Sequence, residues 1–149
     1  MKLVELYTDG ACLGNPGPGG WAALLRYQGH EKLISGNQPD TTNNRMELLA
    51  VIQALELLKE PCRVEVFTDS QYLQKAFQER WLQAWQKNGW VTRNRTPVKN
   101  RDLWDRLLQL SQRHQVHFHW IKGHADCAEN RRVDKEARRQ AQKTQKEVK

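Results

Sequence analysis

Residues 63–72, RVEVFTDSQY, predict a strand followed directly by a helix, with Asp69 at the junction. Alternating valines predict a strand over 63–68, and the polar residues after Asp69 predict a helix from about Ser70. Residues 43–60, just upstream, carry apolar side chains at three- and four-residue spacing, which predicts another helix. Strands alternating with helices in this way predict that part of the sheet is parallel.

The chain on either side of this stretch adds the remaining elements. Upstream, three strands with short turns predict an antiparallel meander, with strands at 2–7, 20–27 and 31–37 and turn residues at 14–20 and 28–30. Downstream we expect three helices, at 81–86, 101–111 and 130–145. A polar loop is expected at 87–97 and one further strand at 116–121. The sequence therefore predicts an α/β fold in which an antiparallel meander adjoins parallel strands.

Length and composition indicate one globular domain covering residues 1–149. Hydrophobic residues make up 38% of the chain and charged residues 28%, which excludes a disordered chain. The richest apolar segment, 48–58, is too short to span a membrane, and no apolar signal core follows Met1. Three scattered cysteines fit neither a disulfide framework nor a zinc site. We therefore expect a cytoplasmic protein without a membrane partner.

Charge is unevenly distributed along the chain, whose net charge is +7. Residues 80–101 contain six basic side chains and no acidic one, and residues 131–149 contain eight basic and three acidic side chains. These segments contribute +6 and +5, so the rest of the chain is net acidic. The pattern predicts two separate tasks, binding of a polyanion and binding of a cation.

Four acids stand where the predicted elements would bring them together: Asp9 in YTDGA, Glu47 in TTNNRMEL, Asp69 in VFTDSQY and Asp134 in ENRRVDKEA. Taken singly, each has an ordinary explanation as a turn residue, a helix-terminal residue or a solvated acid. If the first and fourth strands are parallel neighbours, however, Asp9 and Asp69 meet at one sheet edge. Clustered carboxylates repel each other unless a cation binds them, and hard oxygen ligands suit Mg²⁺.

The glycine-rich loop after Asp9, GACLGNPGPGG, can either cradle a phosphate or turn a hairpin. It is not a Walker loop, since no Gly-Lys-Ser/Thr follows. A metal ion between Asp9 and a phosphate reconciles the carboxylate with a polyanionic ligand.

Five motifs together resemble the bacterial type 1 ribonuclease H family, over about residues 3–141: TDGACLGNPGPGG, TTNNRMEL, TDSQY, GWVTRNRTPVKNRDLW and WIKGHA. The resemblance implies a five-stranded mixed sheet flanked by helices. It also implies endonucleolytic hydrolysis of the RNA strand of RNA–DNA hybrids, giving 5′-phosphate and 3′-hydroxyl ends. The implied cofactor is a pair of Mg²⁺ ions, for which Mn²⁺ can substitute. Its catalytic, metal-binding acids fall on Asp9, Glu47, Asp69 and Asp134, and its catalytic-loop histidine falls on His124.

The resemblance also implies a substrate surface. It places contacts to the hybrid in a basic protrusion at about 80–101, which grips the DNA strand, and at four polar positions: Asn15, Thr42, Asn44 and Arg45. Cys12 is a further candidate, because short polar groups and backbone around it can reach 2′-hydroxyls. Within the protrusion, basic side chains can neutralise phosphates and aromatic rings can pack on sugars or bases, so the candidates there are Trp81, Trp85, Lys87, Trp90 and Lys99. An alternative for Trp81 and Trp85, four residues apart, is that they pack a helix against the core. A monomer is expected.

The sequence departs from the family pattern near its C-terminus. Asp126, Cys127, Arg131 and Glu136 stand at positions where the family usually has other residues, which bears on loop shape and metal affinity. The last helix is basic and can fray over about 142–149, and deletion of 141–149 is expected to raise KM and flatten the salt dependence. His117 and His119 alternate with aromatic residues on a strand and are expected at the surface.

Two other functions remain open from the residues alone. One is a DNA junction resolvase or related strand-transfer core with the same fold, and the other is a non-catalytic hybrid-binding module. Retention of all four acids argues against the binding module, because a pure binder gains nothing from negative charge beside phosphate.

Overall fold

The computed structural model of the chain describes residues 1–92, 94–121 and 127–148. Within these residues, five strands form one sheet in the order β3-β2-β1-β4-β5. They are β1 (Lys2–Cys12), β2 (Gly17–Tyr27), β3 (His30–Thr41), β4 (Cys62–Thr68) and β5 (Gln115–Trp120). The first three strands pair antiparallel, whereas β1–β4 and β4–β5 are parallel. The predicted mixed sheet is therefore confirmed.

Helices cover both faces of this sheet. They are α1 (Asn43–Leu57), α2 (Gln71–Gln78), α3 (Trp81–Asn88), α4 (Arg101–Arg113) and α5 (Ala128–Val148). Because side chains alternate along a strand, Leu6 of β1 packs into the larger core with α1 and α4, while its neighbour Tyr7 packs against α5 through Val133 and Ala137. The two cores leave the C-terminal edge of β1 and β4 between α1 and α5.

The first strand is longer than predicted. We expected it to end at residue 7, with a turn over 14–20, but β1 runs to Cys12 and β2 begins at Gly17. The parallel partner β4 stops at Thr68, while the antiparallel partner continues to pair with β1 as far as Cys12 and Gly19. The glycines of this hairpin therefore belong largely to paired strands.

Helix boundaries differ by a few residues from the prediction. Thr42 caps α1, with its hydroxyl accepting a hydrogen bond from the Arg45 backbone N–H at 3.2 Å. The helix ends at Leu57 rather than at residue 60, since Leu58 is extended and leads the chain towards β4. The basic helix α5 is longer than expected and stays helical to Val148. Among the described helices, none is long and apolar enough to cross a membrane.

Candidate active site

Parallel pairing of β1 and β4 brings the two strand-end acids together. Tyr7 of β1 pairs with Phe67 of β4, and two residues further along each strand stand Asp9 and Asp69. The prediction that these strands are parallel neighbours is confirmed. Asp9 is within β1, opposite Ala22 of β2, and only 7% of its surface is exposed. A carboxylate is thus held inside the sheet, where its desolvation must be offset.

Glu47 reaches the same edge because α1 approaches β1 closely. A Cβ on Gly10 would lie 2.5 Å from the Glu47 backbone nitrogen, so only glycine allows this approach. The Glu47 carboxylate accepts hydrogen bonds from the Asn43 amide at 2.8 Å and from the Ser70 hydroxyl. Burial raises the pKa of Glu47, and these two hydrogen bonds oppose that rise. They also fix the position of the carboxylate.

Asp134 enters from the opposite face of the sheet, on α5. Burial, the charge of Asp69 and a hydrogen bond with Asp134 raise the pKa of Asp9 to about 9. Arg138, one turn along α5, places its Nε 3.2 Å from the Asp134 carboxylate. The four predicted acids therefore converge from four elements, with Asp9 the most buried of the four.

An open groove of about 720 Å³ contains all four acids. Its other described lining residues include backbone and polar groups and one cationic side chain: Gly10, Ala11, Cys12, Leu13, Asn43, Asn44, Gln71, Tyr72, Arg138 and Gln142. Four carboxylates around one groove are a donor set that fits a hard divalent cation. Within 1–92, 94–121 and 127–148, no three His, Cys, Asp or Glu side chains form a group that could hold a metal ion. Mg²⁺ usually retains waters and shares its coordination with substrate phosphate, so it can bind at an open groove with fewer than three protein ligands.

The predicted polar substrate contacts fall into two sets. Cys12 and Asn44 line the groove beside the acids, and Asn15 stands next to it, its side-chain oxygen accepting from the Asn43 backbone N–H at 2.9 Å. Thr42 caps α1 and Arg45 points to α4, where its guanidinium binds the Asp102 carboxylate at 2.8 and 3.0 Å. That ion pair holds the Arg45 side chain against α4, and Arg45 is not among the residues that line the carboxylate groove.

The predicted basic protrusion forms a second groove. Trp81 and Trp85, with ring centroids 5.7 Å apart, pack against the core and also line this groove of about 780 Å³. Lys99 lines it too, and Lys87 is exposed nearby on α3. The Trp90 and Trp85 ring centroids are 5.9 Å apart, and the ring planes are tilted by 31°. Trp81 and Trp85 therefore pack against the core, as one alternative predicted, and they also border an open groove; their contact with nucleic acid stays a prediction.

Three further residues from the sequence prediction remain to be located. His124 and Asp126 lie outside the described residues, whereas Glu136 lies within them on α5. Glu136 faces β3, where its carboxylate accepts hydrogen bonds from Ser35 at 2.6 Å and from Gln140 at 2.9 Å. Hydrogen bonding to Arg139, together with these two bonds, lowers the pKa of Glu136 to about 2. This departure therefore anchors α5 to the sheet.

The side chains that support the acids were not predicted from the sequence. Asn43 and Ser70 hold Glu47, and Arg138 pairs with Asp134. The helix spacing contained a signal for two of them, because Asn43 and Arg138 lie four residues from their acids. Ser70 gave no such signal, since its role as the N-cap of α2 already explained it.

Comparison with known proteins agrees with this architecture. The sequence model of the RNase H family matches residues 1–142. A ribonuclease H of Thermus thermophilus is 64% identical over 141 residues, covering 95% of this chain and 85% of the relative. A ribonuclease H of Nitratidesulfovibrio vulgaris is 60% identical over 141 residues, covering 95% and 90%.

Solved structures show the same fold. LC9-RNase H1, described as a type 1 RNase H with the type 2 active-site motif, superposes with a TM-score of 0.84 at 32% identity, covering 96% of this chain and 74% of that one. LC11-RNase H1, solved in complex with an RNA/DNA hybrid, superposes with a TM-score of 0.69 at 24% identity, covering 94% and 97%.

The sheet order, the flanking helices and the carboxylate groove define an α/β enzyme of the nuclease class. More particularly, the chain belongs to the ribonuclease H family, whose members are endonucleolytic hydrolases.

Proposed function

We propose that this protein hydrolyses the RNA strand of RNA–DNA hybrids by metal-dependent endonucleolytic cleavage. Family membership supports the hybrid as substrate and the RNA strand as the one that is cut. The observation that carries the metal dependence is the convergence of Asp9, Glu47, Asp69 and Asp134 on one groove. The chain has a net charge of +7, yet these four carboxylates would repel a phosphate in the groove. A cation bound among them would remove that repulsion.

The four acids would hold the metal, with Mg²⁺ the expected ion and Mn²⁺ a substitute. Two ions bound with substrate supply an activated water and stabilise the leaving oxygen, and the products are 5′-phosphate and 3′-hydroxyl ends. Asp9 interacts with both Asp69 and Asp134, so it would hold the metal together with these two neighbours. Asn43 and Ser70 restrain Glu47, which keeps its oxygens directed into the groove.

Proton transfer is assigned to His124, which stands in the motif WIKGHA. A histidine titrates near neutral pH, so it can accept a proton from the attacking water or assist departure of the product. The family resemblance supports this role.

The two grooves together fit a duplex with two different strands. Tyr72 lines both the carboxylate groove and the tryptophan groove, so the two surfaces adjoin. We assign the RNA strand to the polar side chains around Cys12, Asn15 and Asn44, which can reach 2′-hydroxyls. The DNA strand is assigned to the tryptophan groove and its lysines, where aromatic rings pack on sugars and lysines neutralise phosphates.

We further infer that the protein is a monomer and acts in the cytoplasm.

The decisive experiment incubates the protein with an end-labelled RNA–DNA hybrid and Mg²⁺, with the Asp69→Asn variant alongside. Matched single-stranded RNA, duplex RNA, duplex DNA and a four-way DNA junction serve as alternative substrates. We expect internal cuts in the RNA of the hybrid alone, and none with the variant or with a chelator.

Two outcomes contradict this function. Tight hybrid binding without cleavage, in Mg²⁺ and then in Mn²⁺, indicates a non-catalytic binding module. Preferred cleavage of the four-way junction indicates a resolvase.

A further inference from the structure

The exposed face of α5 is a continuous basic stripe. At 3.6 residues per turn, its seven basic side chains fall within about 140° of the helix circumference. All seven are exposed: Arg131, Arg132, Lys135, Arg138, Arg139, Lys143 and Lys146. The opposite side of the helix, with Val133, Ala137 and Ala141, is buried against the sheet.

No acidic side chain of α5 falls within that arc. The four acids of the helix flank it: Glu129, Asp134, Glu136 and Glu147. Three arginines of the stripe pair with acids outside the arc: Arg138 with Asp134, Arg139 with Glu136 and Arg132 with Glu31. Among the described side chains, none is at salt-bridge distance from Lys135, Lys143 or Lys146. The three lysines therefore carry the uncompensated charge of the stripe.

The stripe is continuous with the carboxylate groove. Arg138, at one edge of the basic arc, and Gln142 beside it both line that groove. From residue 131 to residue 146 the helix rises about 22 Å, which corresponds to roughly six steps of a nucleic-acid strand at about 3.4 Å per phosphate. A duplex that leaves the groove on this side passes along a row of cations of matching length.

We propose that the basic stripe of α5 binds the phosphate backbone of the hybrid beyond the catalytic groove, as a second nucleic-acid surface separate from the tryptophan groove. The stripe presents flexible lysines and arginines without an exposed apolar side chain, which suits sequence-independent phosphate binding better than recognition of an acidic protein segment. This role rests on the proposed function for the identity of the ligand.

The stripe is tested by point substitution, because Ala141 and Thr144 are buried and deletion of 141–149 would disturb the core. The test variant is Lys135→Gln/Lys143→Gln/Lys146→Gln, made in the Asp69→Asn background for binding and in the wild-type background for kinetics. The matched control removes three exposed lysines elsewhere, Lys32, Lys59 and Lys75, also by change to Gln. Both variants lose the same net charge.

Binding is measured against salt with two hybrids. One is just long enough to fill the groove, and the other is extended by about six base pairs on each side, the span of the stripe. On the long hybrid, the slope of log K against log salt is expected to fall by about 2–3 in the stripe variant, because three phosphate contacts are lost. KM for the long hybrid is expected to rise several-fold at unchanged kcat. With arginine instead of glutamine at the same three positions, the salt slope and KM should both return to the values of the unmodified chain.

The short hybrid distinguishes failure of the stripe proposal from failure of the proposed nuclease function. Cleavage of the short hybrid by the unmodified chain tests the nuclease activity alone, and the stripe variant should cleave it as well as the unmodified chain does. Equal loss on both hybrids, equal loss in the control variant, or an unchanged salt slope on the long hybrid would each overturn the proposal.

Discussion

At the residue scale, Glu47 depends on neighbouring side chains that hold its carboxylate in position. Its two carboxylate oxygens are engaged by Asn43 and by Ser70, which come from different helices. The residues that orient a ligand are commonly as important to metal binding as the ligand itself.

Replacing Ser70 by Ala removes one of these two bonds, so Glu47 loses part of its restraint. We expect Mg²⁺ affinity to fall by about 10–100-fold, together with a loss of stability of about 1 kcal/mol from the lost helix cap. Magnesium titration of cleavage and urea denaturation measure the two effects. Ser70→Thr, which keeps the hydroxyl, is the control, and unchanged Mg²⁺ dependence in Ser70→Ala would contradict the role.

Replacing Asp69 by Asn relieves the repulsion on the buried Asp9. Because the pKa of Asp9 is raised to about 9, its carboxyl is protonated at neutral pH without divalent metal. We therefore expect little change in stability at about pH 7 and a variant more stable than the unmodified chain at about pH 10, where Asp9 ionises. Added Mg²⁺ should raise the Tm of the unmodified chain and leave that of the variant nearly unchanged, because ligand binding stabilises only a competent folded state. Thermal denaturation with and without Mg²⁺ decides this, and equal stabilisation of both proteins counts against a metal site.

At the element scale, the order and type of the helices and strands could be predicted, whereas several boundaries could not. Alternation and helical spacing are local signals, so they located β4 and α1 well. The end of β1 depends on which neighbour continues to pair with it, and no property of residues 8–12 alone encodes that. The four acids were predictable from their motifs, but their supports were not, since Ser70 contacts Glu47 across 23 residues of sequence.

The contact of β1 with α1 gives a prediction at this scale. In Gly10→Ala, the new Cβ meets the backbone of Met46 and Glu47, which cannot move without shifting the start of α1. We expect a loss of about 1–3 kcal/mol in stability and a weaker response to Mg²⁺. Chemical denaturation and a metal titration test it, and a variant with unaltered stability would show that α1 can retreat from β1 at little cost.

At the scale of the whole molecule, His114 couples stability to pH. This histidine is 4% exposed, and its Nδ1 accepts a hydrogen bond from the Cys62 backbone N–H at 3.0 Å, joining the start of β5 to the start of β4. Burial lowers the pKa of His114 from its usual 6.5. The folded state therefore binds fewer protons than the unfolded state below that value, and stability contributed by the neutral ring is lost as the pH falls through this window.

Urea denaturation between about pH 5 and pH 8 measures this coupling. The unmodified chain should lose stability as the pH falls below 6.5, and His114→Asn, which can still accept the Cys62 bond, should lose less over the same interval. Parallel pH profiles for the two proteins would assign the acid sensitivity to other groups.

The assembly of the site from distant parts of the chain has a consequence for synthesis on the ribosome. Asp9 belongs to the first strand and Asp134 to the final helix, and they share a groove only after that helix has docked on the sheet. A chain still being translated holds the first three acids without the fourth. The complete set of four acids is therefore assembled only after α5 has been made and packed on the sheet.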